Sequence, residues 1–270
     1  MSKNPLGKPT SYSTSYDPDL LFPVARSEAR REIGISGELP FTGVDVWNAW
    51  ELTWLDSAGK PMVATAEIRI SVDSENIIES KSLKLYLNSL AMTRYRDAVE
   101  VARIIAADLA SVAGCVVDVR IISTANWADR EINTFPGACI DEETVNCNTS
   151  AVDPQSLSVV DGEVALEELH SHLLYSNCPV TNQPDLGSIL IRYSGATIDR
   201  GGLLRYLVSY RQHNGFHEAC VENIFVDIMA RCAPRKLTVY ARYNRRGGLD
   251  INPFRSNFEN EVDNSRLWRQ

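Results

Sequence analysis

The sequence has neither a glycine-rich GxGxxG fingerprint nor a GxxxxGK[ST] loop. Any nucleotide it binds is therefore held without a Rossmann turn or a P-loop. No apolar run approaches the length of a membrane span, and the polar start Met1-Ser2-Lys3-Asn4-Pro5-Leu6-Gly7 has no apolar h-region of a secretory leader. These absences predict a soluble, cytoplasmic protein with no membrane partner. No CxxC pair occurs among cysteines 115, 139, 147, 178, 220 and 232. Irregular spacing in a chain of 270 residues argues against a disulfide framework and predicts reduced thiols. Nor is there a basic excess: 27 Lys and Arg face 35 Asp and Glu, a formal charge of −8. Gripping a nucleic-acid backbone calls for a basic face, so the balance favours a small molecule over direct contact with RNA.

What is present reads as alternating strands and helices. The first ~45 residues, to about Val44, are irregular, with a short helical turn at Arg26 to Arg31. Ile68, Ile70 and Val72 alternate within a strand from Met62 to Val72. An amphipathic helix is expected from Leu90 to Ala113, with Tyr95, Val99, Ala102, Ile105, Ala106 and Leu109 on one face and Gly114 as its stop. Val116 to Ile122 reads as the next strand. A loop-rich zone from about Ser123 to Gly162 follows, and then the order repeats. Ile189, Ile191 and Tyr193 form a strand, a helical stretch starts at Leu203 behind Gly201-Gly202, and a longer helix runs from His217 to Cys232, ended by Pro234. Leu237, Val239, Ala241 and Tyr243 alternate as a last strand. The expectation is an α+β chain of two modules, 1–135 and 136–270, each an antiparallel sheet with helices on one face.

Four stretches carry side chains suited to chemistry. In Ser176-Asn177-Cys178-Pro179-Val180-Thr181-Asn182-Gln183-Pro184-Asp185, prolines and asparagines place Cys178 on a loop, with a carboxylate seven residues on. Such a thiol is either a small buried hydrophobe or a nucleophile beside a proton donor. His217-Glu218 opens a helix, where a glutamate complements the unpaired N–H groups. Equally, the glutamate could accept from a guanine-like edge while His217 moves or orients a proton. Lys81 and Lys84, beside Ser80 and Ser82, form either a solvated turn or a phosphate contact. In Arg245-Arg246-Gly247-Gly248 the glycines would let backbone approach a ligand that the guanidinium groups grip. His170 and His172 read as structural, and Cys115, Cys139, Cys147 and Cys232 show no partner pattern.

Together, Glu79-Ser80-Lys81-Ser82-Leu83-Lys84-Leu85-Tyr86, the 176–185 run, His217-Glu218 and residues 245–253 resemble the NADPH-dependent 7-cyano-7-deazaguanine reductases, the nitrile reductases of queuosine biosynthesis, in their longer two-module form. The resemblance implies tandem tunnelling-fold modules and reduction of a nitrile to a primary amine at the expense of two NADPH. It makes Cys178 the nucleophile that forms a thioimide, Asp185 the proton donor to the nitrile nitrogen, and His217 the neighbour that helps Cys178 react as thiolate. Glu218 would read the deazaguanine edge, and Ile78, Glu79 and Ser80 would enclose the substrate. Ser80, Lys81, Arg246 and Gly247 would contact NADPH, no resident metal is implied, and a homodimer is expected. Two rival readings stand beside it: a zinc-dependent cyclohydrolase-like enzyme with Cys178, His217 and Cys220 as ligands, and a non-catalytic purine-binding module.

Overall fold

The computed structural model describes residues 13, 15–123, 131–148 and 151–270. The beginning of the expected irregular N-terminal stretch, and the parts of the expected loop zone at 124–130 and 149–150, lie outside these residues. In chain order the strands are β1 (Pro23–Ala25), β2 (Thr42–Leu55), β3 (Pro61–Ser71), β4 (Asn76–Ile78), β5 (Val117–Ser123), β6 (Ile132–Asn133), β7 (Ala138–Cys139), β8 (Val159–Asn177), β9 (Pro184–Ile198), β10 (Lys236–Tyr243), β11 (Leu249–Ser256) and β12 (Arg266–Leu267). The helices are α1 (Arg26–Glu32), α2 (Ser80–Ser89), α3 (Ala98–Ala113), α4 (Arg200–Val208) and α5 (His217–Cys232). The chain is α+β, with long antiparallel strands and helices packed against them. Among the described residues no helix is long and apolar enough to cross a membrane.

The chain divides into two units, but not at a single cut. The first comprises the described residues of Met1–Glu28, Val44–Glu131 and Arg245–Ile251; the second comprises those of Ala29–Gly43, Ile132–Asn244 and Asn252–Gln270. One crossing falls near the expected 135/136 boundary, yet each unit also takes a segment from the other's expected stretch. Polar pairing and aromatic packing explain both. Residues 245–251 join the first unit because Asn48 Nδ2 donates to Asp250 Oδ1 at 2.7 Å, Trp50 Nε1 donates to Asp250 Oδ2, and Trp50 N donates to Gly248 O at 2.8 Å. Residues 29–43 join the second because Arg30 pairs with Glu222 at 2.9 Å and Phe41 packs edge-on against Phe225 at 5.1 Å.

In the first unit β3 lies between β2 and β5, both antiparallel to it, with Trp47 opposite Ile68 and Ile68 opposite Val119. Helices α2 and α3 bury Leu83, Tyr86, Val101, Ile105 and Leu109 in a core shared with Trp47, Ala66, Ile68 and Ile70. The expected helix from Leu90 to Ala113 is shorter at its start. Leu90 caps the C-terminus of α2, and α3 begins only at Ala98, because the Asp97 side chain accepts from Glu100 N at 2.8 Å and fixes a new start. The buried stripe is Val101, Ile105, Leu109 and Ala113, whereas Val99, expected on that face, is 75% exposed. Gly114 does stop the helix, at φ +74°. Strand β2 is a further departure from the sequence expectation. Its residues Asp45 to Asn48 are buried on both faces, so no alternation marks it. Asp45 tolerates burial because Arg26 Nη2 lies 2.5 Å away.

In the second unit β8 and β9 form one long antiparallel hairpin, from Val159 opposite Ile198 to Asn177 opposite Pro184. Strand β10 pairs with β9, with Val239 opposite Ile191, and with the distal part of β11, with Val239 opposite Arg255. Helix α5 lies against β10 and buries Cys220, Val221, Ile224, Phe225 and Ile228. A buried ion cluster ties the unit together. Glu222 accepts from Arg30 Nε and Nη2, each at 2.9 Å, and from Arg255 Nε and Nη2 at 3.1 and 2.9 Å. Arg255 is wholly buried, and its Nη1 donates to Phe254 O at 2.9 Å.

Candidate active site

The hairpin turn between β8 and β9 carries Cys178. Cys178 N donates to Gln183 O at 2.9 Å and Asn182 N donates to Cys178 O at 3.0 Å, closing a tight loop. Asn182 sits at φ +54°, a left-handed conformation that asparagine tolerates better than most residues. Pro184 is the first residue of β9, a position where its missing N–H costs little. The turn is anchored at its base: Asn177 N donates to His213 O at 2.8 Å, and Gly215 N donates to Asn177 O at 3.0 Å. These bonds tie the hairpin end to the segment leading into α5. Cys178 itself is half-buried.

The same anchoring brings the sequence-expected partners into one place. Asp185, directly opposite Ser176 in the hairpin, is buried. His217, the first residue of α5, places Nε2 at 3.2 Å from Asp185 Oδ2. Its ring stacks on that of Tyr243, with centroids 3.9 Å apart and planes 7° from parallel. Its Nδ1 has no hydrogen-bond partner among the described residues. Glu218 lies in the first turn of α5, where the helix dipole favours a carboxylate, and is also buried. Burial holds the Tyr243 phenol well above its ordinary pKa, so this stacking partner stays neutral. Tyr243 was read only as a strand residue. Its alternation with Leu237, Val239 and Ala241 was the available signal, because it places Tyr243 on the side of β10 that faces α5.

Cys220 belongs to the same neighbourhood but behaves differently. It is wholly buried, and desolvation pushes its thiol up to about 12. A Cβ on Gly215 would stand 2.8 Å from His213 Nε2 and 3.1 Å from the Cys220 sulfur, so a side chain there would crowd both. Cys178, His217 and Cys220 do not gather as a ligand set among the described residues. The zinc reading therefore has no site among the described residues.

The other expected residues lie in the first unit. Ile78 ends β4 and is buried. Glu79, expected to touch substrate, is the N-cap of α2: its carboxylate accepts from Lys81 N at 2.7 Å and from Ser82 N at 2.8 Å. Desolvation raises its pKa, against the lowering effect of those amides. Ser80 and Lys81 form the first turn behind that cap. Arg246 and Leu249 exchange backbone hydrogen bonds of 2.8 and 3.2 Å around Gly247 at φ +57° and Gly248 at φ +81°. Paired positive φ values make this a hairpin turn open to glycine. A Cβ on Gly247 would stand 3.2 Å from Lys84 Cδ, so the lysine stem runs along the bare turn. The ESKSLK helix start and the RRGG turn are thus neighbours, with the Lys84 side chain lying beside Gly247.

A family model described as nitrile reductase, 7-cyano-7-deazaguanine-reductase N-term, matches residues 12–121, and one described as QueF-like protein matches residues 184–262. A protein of Desulfotalea psychrophila, named NADPH-dependent 7-cyano-7-deazaguanine reductase, is 52% identical over 267 residues, covering 98% of this chain and 97% of its own. One of the same name from an Azoarcus species is 53% identical over 269 residues, covering 99% of this chain and 95% of its own. A solved structure of an archaeosine synthase, QueF-Like in the apo form, covers 38% of this chain at 18% identity with a TM-score of 0.33.

Proposed function

The chain belongs to the family of NADPH-dependent 7-cyano-7-deazaguanine reductases, and from that membership we propose how its own residues carry the reaction. The protein is an NADPH-dependent oxidoreductase that converts the nitrile of 7-cyano-7-deazaguanine to the primary amine, a step of queuosine biosynthesis. Cys178 adds as thiolate to the nitrile carbon. The C≡N π pair moves to nitrogen, Asp185 protonates it, and a thioimide results. His217 holds the Asp185 carboxyl in place through its Nε2 and helps move the proton. NADPH supplies the hydrides, two equivalents per nitrile. Cys178 then leaves again as thiolate when the C–S bond of the reduced adduct breaks. Glu218 accepts from the N1–H and exocyclic amine of the base, and the family resemblance assigns Ile78, Glu79 and Ser80 to substrate contact as well. Ser80, Lys81, Arg246 and Gly247 hold the NADPH phosphates and ribose, with Lys84 beside them.

The observation that carries this reading is the buried Asp185 carboxylate, 3.2 Å from His217 Nε2, on the strand that leaves the Cys178 turn. The test is turnover of 7-cyano-7-deazaguanine with NADPH, followed by loss of reduced-nicotinamide absorbance and by mass analysis of the product. Two NADPH per amine are expected; nitrile-independent oxidation alone would refute the assignment. Asp185→Asn is expected to lower kcat by ~10²–10⁴-fold, the usual worth of a positioned proton donor. A kcat within tenfold of the parent would move the proton source elsewhere. Glu218→Leu is expected to weaken substrate binding by about 1.5–3 kcal/mol, through loss of charged hydrogen bonds. Calorimetric titration reads this directly, and an unchanged Kd would mean that the base is recognised by other groups. On the same reading the enzyme works in the cytoplasm as a homodimer on the free base, not on tRNA. Sedimentation as a 30.1 kDa species would remove the dimer.

A further inference from the structure

Away from the Cys178 turn, the second unit gathers a different set of side chains. Cys139 on β7 stands opposite His170 on β8, and His172 follows two residues along the same strand. One ligand atom from each of Cys139, His170 and His172 lies within 4.8 Å of the others. We propose that Cys139, His170 and His172 form a binding site for a borderline-soft divalent metal ion such as Zn²⁺, separate from the reductase chemistry.

The surroundings fit such a site in three respects. His170 Nδ1 is 3.0 Å from Pro136 O. A carbonyl only accepts, so Nδ1 must carry the proton and Nε2 of the neutral ring presents its lone pair. His172 Nδ1 is likewise engaged, by Ser188 Oγ at 2.8 Å, which leaves its Nε2 for a metal. Outer hydrogen bonds of this kind orient metal-binding imidazoles. Next, the short segment bearing Cys139 is held in register. Ile140 N donates to His170 O at 2.9 Å, and Asp141 accepts from Ser171 Oγ at 2.6 Å and from His172 N at 3.0 Å. Gly137 permits the approach, since a Cβ there would lie 2.1 Å from Glu168 O. Finally, one thiolate and two imidazoles are the donors zinc prefers, with a water or the nearby Asp141 carboxylate for the fourth position of a tetrahedron. Bound metal would fasten the Pro136–Asp141 stretch to β8. Binding releases the Cys139 proton and leaves all oxidation states unchanged.

The experiment uses full-length protein, stripped with chelator, in a Cys178→Ala background so that the turn thiol cannot report. Titration with Zn²⁺ by calorimetry, and with Co²⁺ by visible absorption, is expected to show one ion per chain with a thiolate-to-cobalt charge-transfer band. Cys139→Ser should abolish that band, and His172→Gln should weaken binding ~100-fold or more, given that even outer partners cost 10–100-fold. Zn²⁺ should also slow amide exchange across 137–141. Reductase turnover of Cys139→Ser with Cys178 present should match the parent, which shows that the variant is folded and keeps this test separate from the reductase assignment. Stoichiometric binding that survives both substitutions, or no saturable binding at all, would overturn the site.

Discussion

Replacing Cys178 with alanine is expected to remove nitrile reduction altogether while NADPH and the deazaguanine still bind. The loss should reach on the order of 10³-fold or more in kcat, as for other enzymes stripped of a nucleophile. Without a sulfur there is no thioimide, and a bare nitrile accepts hydride poorly. The turn itself should survive, because its closing bonds run through the Cys178 backbone N and O and the side chain closes none of them. Intact-mass analysis of the parent with the nitrile and no NADPH should show a mass gain on Cys178, absent in the variant. Turnover close to the parent's, or an adduct that persists after substitution, would exclude covalent catalysis at this residue. Cys220→Ala makes a useful contrast: its thiol is buried and protonated near neutral pH, so this variant should still gain the adduct mass at Cys178.

Glu222→Ala should be the most damaging single change to stability. One carboxylate serves two guanidinium groups, and Arg255 has no exposed surface. Removing the anion leaves two guanidinium groups facing each other, Arg255 fully buried and Arg30 half-buried. Breaking a buried ion pair from one side costs about 3–5 kcal/mol, which for a chain of this size lowers Tm by on the order of 10 °C. The double variant Glu222→Leu/Arg255→Met should recover much of the loss, since apolar replacements of the whole pair are often neutral. Thermal unfolding followed by circular dichroism decides the matter. An unchanged Tm in Glu222→Ala would mean that the cluster contributes nothing.

Legibility in the sequence tracked how each element is buried. Helix α5 and strand β10 were readable to within a residue, because one bears an apolar stripe and ends at Pro234 and the other alternates. Strand β2 was invisible because Asp45 and Asn48 sit inside it, made tolerable by Arg26 and Asp250 from distant parts of the chain. Much of β8 was hidden for the opposite reason: its first half is acidic, glycine-containing and exposed. The motifs supply candidate site residues, but only tertiary packing shows that Asp185 meets His217 and that Lys84 lies over Gly247. Helix α2 and its capping by Glu79 show only in the structure, since the sequence reading puts Lys81 and Lys84 on a solvated turn or a phosphate contact.

The exchange of segments between the two units has a consequence for biosynthesis on the ribosome. Asn48 and Trp50 emerge early, yet their partner Asp250 is translated almost last. The hydrogen bonds to Asp250 therefore form only when the chain is nearly finished. A premature stop codon after residue 244 would remove Asp250, and with it the hydrogen bonds to Asn48 and Trp50 in the first unit, along with residues 252–270 of the second.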